Sequence, residues 1–162
     1  MDTLYIWIIL TIAGACLHLA VSKKPRTKNR IIEVFLLYVL VVQVGVASIW
    51  NFMGHTFMAD YIAEYIGWPP GSPFQFEVAV ANLSYGILGL LCAKFRGNFW
   101  TATIIAYSTF YLGAAYGHII DILENANYAP GNAGAPLYLD IAIPAVLIAF
   151  FAAYKITIRP TK

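Results

Sequence analysis

The sequence predicts an all-α protein, a polytopic membrane bundle of about five transmembrane helices, from its composition and its charge pattern. Of its 162 residues 60% are hydrophobic and 11% are charged, and the mean hydropathy is +0.71. A soluble domain of this length needs more polar surface. The ten Lys and Arg residues all fall in three short segments, and seven of the eight Asp and Glu residues fall between those segments. Charge is therefore segregated along the chain, as in proteins that cross a membrane repeatedly.

Apolar stretches separate the two sets of charges, and each is about 20 residues long, the length that crosses a hydrocarbon core roughly 30 Å thick. Charges, Pro, Gly and interfacial aromatic residues bound them, and they predict spans at residues 3–21, 31–54, 75–95, 99–120 and 137–157. The first stretch has its basic residues after the apolar run, the reverse of a secretory signal, so we expect a retained helix. Residues 1–162 are then a single integral membrane domain.

The basic segments predict the orientation of the bundle. By the positive-inside rule residues 22–30, residues 94–98 and the C-terminus lie inside, and the N-terminus, residues 55–74 and residues 121–136 lie outside. The expected location is a microbial plasma membrane, and the expected partner is the lipid bilayer. The net charge of +2 is divided between membrane sides and forms no patch for a phosphate backbone, so nucleic acid is not an expected partner.

Two outer segments differ from the predicted spans, one in being amphipathic and the other in being rich in turn formers. Residues 56–66 are amphipathic and fit either an extension of the second span or an interfacial helix. Residues 125–136 are dense in Asn, Gly, Ala and Pro, which favour turns. This second segment is either the cap of a site or a plain connection.

Five candidate metal ligands reach the outer membrane level from four helices. His55 ends the second span, Glu77 opens the third, His118 and Asp121 end the fourth, and Asp140 opens the fifth. Imidazole and carboxylate together suit Zn, Fe, Mn or Ni, and two nearby methionines leave Cu open. The sequence therefore predicts an outward-facing His/carboxylate metal-binding site, with a divalent transition metal as its cofactor and a metal-dependent membrane enzyme as one function.

Helical periodicity adds supporting residues to this site. At about 100° per residue, polar side chains fall on the same stripes as His55 and His118, and such stripes turn toward other helices in lipid. A carboxylate at a helix C-terminus, as at Asp121 and Glu124, is disfavoured by roughly 0.3–1 kcal/mol and needs a cation nearby. That cation is a protonated His, a metal ion or a positively charged substrate. The supporting residues are Asn51, Tyr107, Tyr111 and Glu124.

Other interpretations of the same residues remain open. Glu77 and Asp140 open helices, where the macrodipole favours an anion without any site. His55 and His118 are also placed to ligate a b-type haem. A His and a carboxylate without metal can perform acid–base chemistry on a lipophilic substrate. A small transporter subunit or a scaffold subunit of a membrane complex is the remaining class, and small residues on the third and fourth helices, at positions 86, 89, 113 and 117, favour close helix packing or a homo-oligomer.

Short motifs distributed over residues 50–150 carry a resemblance. They are Phe76-Glu77-Val78, Ala81-Asn82-Leu83, Gly86-Ile87-Leu88-Gly89, Tyr107-Ser108, Gly113-Ala114-Ala115-Tyr116-Gly117-His118, Gly131-Asn132-Ala133-Gly134 and Leu137-Tyr138-Leu139-Asp140. Together they resemble small microbial integral membrane proteins grouped as a family of unknown function. In size and bundle topology the chain is also similar to DoxX-like proteins, which usually have four spans. The resemblance implies a compact multi-helix membrane domain and no activity.

Overall fold

A computed structural model of the chain describes residues 3–157, with side chains from residue 5 onward. The described part is helical and has no strand. Its elements are α1 (Thr3–Val21), α2 (Lys28–Tyr38), a π-helical segment (Val39–Val46), α3 (Ala47–Phe57), α4 (Ala59–Ile66), α5 (Pro73–Leu91), α6 (Asn98–Asn125), α7 (Pro130–Ala133) and α8 (Ala135–Thr157).

Three helical stretches are long and apolar enough to cross a membrane. They are Lys28–Phe57, in which α2, the π segment and α3 follow one another without a break, Pro73–Leu91 and Pro130–Thr157. The apolar stretch Tyr5–Val21 is shorter, and α6 has 28 residues but more polar side chains. Each of the five predicted spans lies on a long helix of the structure. By length and composition, three of those helices qualify as spans.

The bundle has two ends that differ in their charged side chains, and we call them the basic end and the acidic end. At the basic end Arg96 Nη1 donates to Glu33 Oε1 at 2.8 Å, and Asn29 Nδ2 donates to the Thr157 carbonyl at 2.7 Å. These bonds hold the start of α2 against the start of α6 and the end of α8. The acidic end carries His55, Asp121 and Asp140, and α4 and α7 pack against each other there.

The basic half of the bundle is closely packed. Leu36, Leu40, Trp100 and Leu147 are fully buried in one core cluster, where apolar contact replaces contact with the surroundings. A side chain on Gly89 would collide with the Gly45 backbone, and one on Gly86 would lie 2.5 Å from the Ile49 side chain. The close helix approach predicted for these two glycines is therefore present, between α5 and the π segment with α3.

The π segment presents Gln43 inside the bundle. Gln43 Nε2 donates to Thr11 Oγ1 at 3.0 Å, and Thr11 Oγ1 donates to the Trp7 carbonyl at 2.8 Å. A buried amide needs such partners. Widened π turns inside a helix are rare and occur frequently at functional sites.

At the acidic end α4 is a helix of its own. The backbone leaves the helical region at Met58 (φ −128°, ψ 36°), and Gly67 ends α4 in the left-handed region at φ 85°. Of the two alternatives for residues 56–66, an extension of the second span is therefore wrong. Residue 131 of α7 lies so close to Tyr65 of α4 that a Cβ there would be 2.6 Å from the ring. We call α4 and α7 the roof.

Candidate functional site

A partly open cavity of about 1420 Å³ lies beneath the roof. α3 packs on α5, and α6 packs on α8. α2 joins the two pairs near the basic end by packing on α8, and toward the acidic end the cavity separates them. Pockets for small molecules in proteins usually measure about 300–1,000 Å³. This cavity is larger, so it has room for a bulky ligand.

Two glycines widen the cavity on the α6 side. A Cβ at Gly113 or at Gly117 would meet no atom within 4 Å, and both residues line the cavity. The predicted role of these two glycines in close helix packing is therefore wrong within one chain. These two small residues instead leave open space on the side of α6 that lines the cavity.

His118 of α6 is held in one orientation by Asn132 of α7. His118 Nδ1 lies 2.6 Å from Asn132 Oδ1, while Asn132 Nδ2 donates to the carbonyls of His118, at 3.3 Å, and Asn127, at 2.8 Å. Because the amide nitrogen faces two acceptors, Oδ1 is the acceptor for the ring, and His118 Nδ1 carries the hydrogen. His118 Nε2 is then the nitrogen available for chemistry.

Asp140 at the start of α8 faces that nitrogen. The distance from His118 Nε2 to Asp140 Oδ2 is 3.6 Å, and the two side chains are only 12% and 13% exposed. This is longer than a hydrogen bond but within the range of an ion pair. No hydrogen bond from the described residues reaches the Asp140 carboxylate. Both residues line the cavity.

Asp121 is stabilised differently, by amide groups. Asn125 Nδ2 donates to its Oδ1 at 2.8 Å and Asn127 Nδ2 donates to its Oδ2 at 2.6 Å. These hydrogen bonds, that from Asn127 first, lower the pKa of the Asp121 carboxyl. Asn127 Nδ2 also donates to the Ile66 carbonyl at 2.9 Å and so fastens the roof to α6. The predicted need for a partner at Asp121 is met by neutral donors.

His55 of α3 lines the same cavity on the opposite side. Its ring centroid is 6.4 Å from that of Trp68, and its Nδ1 is buried without a hydrogen-bond partner among the described residues. Deeper in the cavity Asn51 Nδ2 donates to the Tyr111 hydroxyl at 3.3 Å, and that hydroxyl donates to Asn82 Oδ1 at 2.6 Å. The Tyr107 and Tyr111 rings stack with centroids 4.2 Å apart. Predicted supporting residues thus lie together on the cavity wall.

The structure brings four of the five predicted ligands to the cavity: His55, His118, Asp121 and Asp140. Glu77 is exposed on α5 and does not line it, and neither does the supporting residue Glu124. Within residues 3–157 no three His, Cys, Asp or Glu side chains are grouped as they would be around a metal ion. Among the predicted ligands, His118 and Asp140 are in contact within the described residues.

Three site residues were not among the predicted ones: Asn82, Asn127 and Asn132. Asn127 and Asn132 belong to the segment that was predicted as either a cap or a plain connection, and their hydrogen bonds show that it caps the site. Asn residues are common in turns, so composition alone could not separate the two uses. Asn82 is 3% exposed in the structure, and the signal available in the sequence was an amide side chain inside an apolar span.

Fold and site together define a class: a helical-bundle protein with helices long enough to cross a membrane and a His/Asp cavity at one end. The chain belongs to a family of unknown function, DUF6790, which matches residues 1–159. The predicted resemblance to such a family is thereby confirmed, and the similarity to DoxX-like proteins stays a prediction. No curated protein and no solved structure matched the chain.

Proposed function

We propose that the protein is an integral membrane protein with five spans, the acidic end outside and the basic end inside a microbial plasma membrane. Three helices have the required length and apolar character, and α1 and α6 complete the count. The support for the orientation is the placement of Arg30, Arg96 and Lys155 at one end of the bundle. Exposed apolar side chains around the bundle, such as Ile9, Ile87 and Ile148, are then in contact with lipid.

For the cavity we propose binding of an amphipathic molecule and acid–base chemistry on it. The observation that carries this proposal is the His118–Asp140 pair, which lines a cavity large enough for such a molecule. His118 Nε2 has a free lone pair because Nδ1 is bound to Asn132. It accepts a proton from the substrate, Asp140 stabilises the resulting imidazolium, and the proton is then returned to another atom of the substrate or to the leaving group.

A divalent metal on the same pair is the second candidate. His118 Nε2 and Asp140 Oδ2 face each other as two ligands would, and the Asn132 bond on the other ring nitrogen is the kind that orients a metal-bound histidine. Zn, Fe, Mn and Cu accept such ligands. Two protein ligands are fewer than zinc sites usually have, so His55, Asp121 or the substrate would have to supply the others.

The binding step is tested by filling the cavity. Small molecules that co-purify with the wild-type protein in nonionic detergent are extracted and identified by mass spectrometry, beside the variants Gly113→Phe and Leu112→Phe. Residue 113 has open space in front of it, and Leu112 is 42% exposed and does not line the cavity. We expect the bound amphiphile to be lost in Gly113→Phe and kept in Leu112→Phe. Equal retention in the two variants would contradict binding in this cavity.

The chemical step is tested with the molecule so identified. We expect conversion by the wild type to fall by about 100-fold or more in His118→Gln, the range for loss of a general acid or base. Elemental analysis of the same samples separates the candidates, since a metal lost from both His118→Gln and Asp140→Asn supports the metal site. A bound molecule that the wild type leaves unchanged, with no metal present, would contradict both.

A further inference from the structure

We infer that the ligand of the cavity is a lipophilic cation, a molecule with a bulky apolar body and one positive charge. This inference rests on the proposed binding function of the cavity and specifies the chemical class that it recognises. Three features of the described residues support it. They are the sign of the charges on the cavity wall, the unequal number of hydrogen bonds that the two carboxylates accept, and the aromatic rings that line the cavity.

The wall of the cavity has carboxylates, and among the described residues no Lys or Arg side chain. Asp121 and Asp140 line it, and no Lys or Arg does. The sequence has no Lys or Arg in residues 31–93 and 97–154, so within residues 3–157 none lies near the acidic end. An anionic head group such as phosphate or carboxylate would meet like charge with no Lys or Arg to pair it, which is costly away from water. Phospholipid head groups therefore do not fit, and a cation does.

Of the two carboxylates, Asp140 is the one that lacks compensation. Asp121 accepts hydrogen bonds from two Asn amides. Asp140 receives none from the described residues, is 13% exposed and has His118 Nε2 at 3.6 Å as its polar neighbour. A buried carboxylate without donors is unfavourable unless it is paired or neutralised. A positively charged ligand provides that pairing.

Aromatic side chains supply the rest of the recognition. Trp7, Trp50 and Trp68 line the cavity, and the rings of Trp7 and Trp50 lie 6.2 Å apart. Trp50 lines the cavity and is 45% exposed. Aromatic rings attract cations through their quadrupole, with Trp the strongest, and also bury apolar area. Carboxylate and aromatic wall together select a cation with an apolar body.

The test uses two ions of the same shape and opposite charge, tetraphenylphosphonium and tetraphenylborate. Quenching of Trp fluorescence in nonionic detergent reports binding, because three of the four tryptophans line the cavity. We expect the phosphonium to bind at least about tenfold more tightly than the borate, a difference of roughly 1.4 kcal/mol. Asp140→Asn should abolish that preference, and Asp140→Glu, which keeps the charge, should retain it.

A matched control is the neutralisation of a carboxylate outside the cavity. Glu77→Gln on α5 should leave both affinities unchanged, and Asp121→Asn should reduce phosphonium binding less than Asp140→Asn does, because its carboxylate is already satisfied. Equal binding of the two ions, or a preference that survives Asp140→Asn, would overturn the inference. Absence of phosphonium binding would overturn it as well.

The two proposals fail in different ways. An extracted amphiphile that disappears in Gly113→Phe but carries no positive charge, with no phosphonium binding, would refute the cation and leave the cavity's binding function standing. Phosphonium binding that depends on Asp140, with no conversion of any extracted molecule, would support the cation site and refute the acid–base chemistry.

Discussion

The two ends of the bundle use the same residue types for opposite purposes. At the basic end glycines bring helices together: Gly89 of α5 lies against the Gly45 backbone, and Leu36, Trp100 and Leu147 fill the remaining space. At the acidic end Gly113 and Gly117 face open space, and polar side chains line the wall. Close packing at the basic end holds the helices together, and the helices are separated by the cavity at the acidic end.

The difference also concerns how charge is satisfied. At the basic end Arg96 and Glu33 form an ion pair at 2.8 Å. Both side chains are partly exposed, and ion pairs at exposed positions add little to stability. At the acidic end Asp121 accepts hydrogen bonds from amides, whereas Asp140 accepts none from the described residues and lies 3.6 Å from His118 Nε2. No Lys or Arg lies there among the described residues. Close apolar packing is found at the basic end, and the carboxylate that lacks hydrogen-bond donors among the described residues, Asp140, is at the acidic end.

The strongest test of this contrast is a pair of glycine-to-alanine variants. Gly89→Ala forces a Cβ into the Gly45 backbone, so the helices must separate, and we expect a loss of about 1–3 kcal/mol. Gly113→Ala meets no atom and replaces a poor helix former, so we expect a gain of up to about 1 kcal/mol. Thermal unfolding in detergent measures both. Equal shifts of the two variants would show that the two ends do not differ in packing.

A second test removes the side chain that orients the site. Asn132→Ala leaves His118 Nδ1 without its acceptor, and an unsatisfied buried donor costs about 1–3 kcal/mol. ¹⁵N NMR of labelled histidine should show the Nδ1–H tautomer at His118 in the wild type and a mixture in Asn132→Ala. Asn125→Ala, which loses one bond to Asp121, should leave that spectrum unchanged. A wild-type ring protonated at Nε2 alone would contradict the proposed orientation.

The sequence predicted the long helices because apolar stretches of membrane-spanning length can be recognised without knowledge of the tertiary structure. Two features of the long helix could not be predicted. The segment Val39–Val46 contains no proline and a single glycine, Gly45, and this composition does not distinguish π turns from α turns. The break at Met58 depends on contacts of α4, such as the bond from Gln75 Nε2 to the Ala59 carbonyl at 2.7 Å. Such contacts appear only when the helices are assembled.

The sequence predicted how deep in the membrane each site residue lies, but it did not predict how each helix is rotated about its own axis. Tracking each residue along its helix placed His118 and Asp140 at the same level, and the structure brings them to 3.6 Å. Glu77 has the right depth, but α5 turns Val78 and Asn82 to the cavity and leaves Glu77 exposed. In lipid the outward face of a helix is apolar as well, so the hydrophobic pattern defines its rotation only weakly.

The smallest expected effect is the pH response of the roof. Because Asn127 and Asn125 donate to the ionised carboxyl, the pKa of Asp121 in the folded protein lies below its ordinary value of 3.8. The stabilisation is therefore fully present above that value and is lost as the pH falls through the lower, folded-state pKa. Hydrogen exchange of residues 126–133, compared at matched pH with Asp121→Asn, measures it. At pH 7 the wild type should exchange more slowly than the variant, and in acid the two should converge. If the wild type kept its slower exchange in acid, the amides of Asn125 and Asn127 would be holding the roof without help from the charge on Asp121.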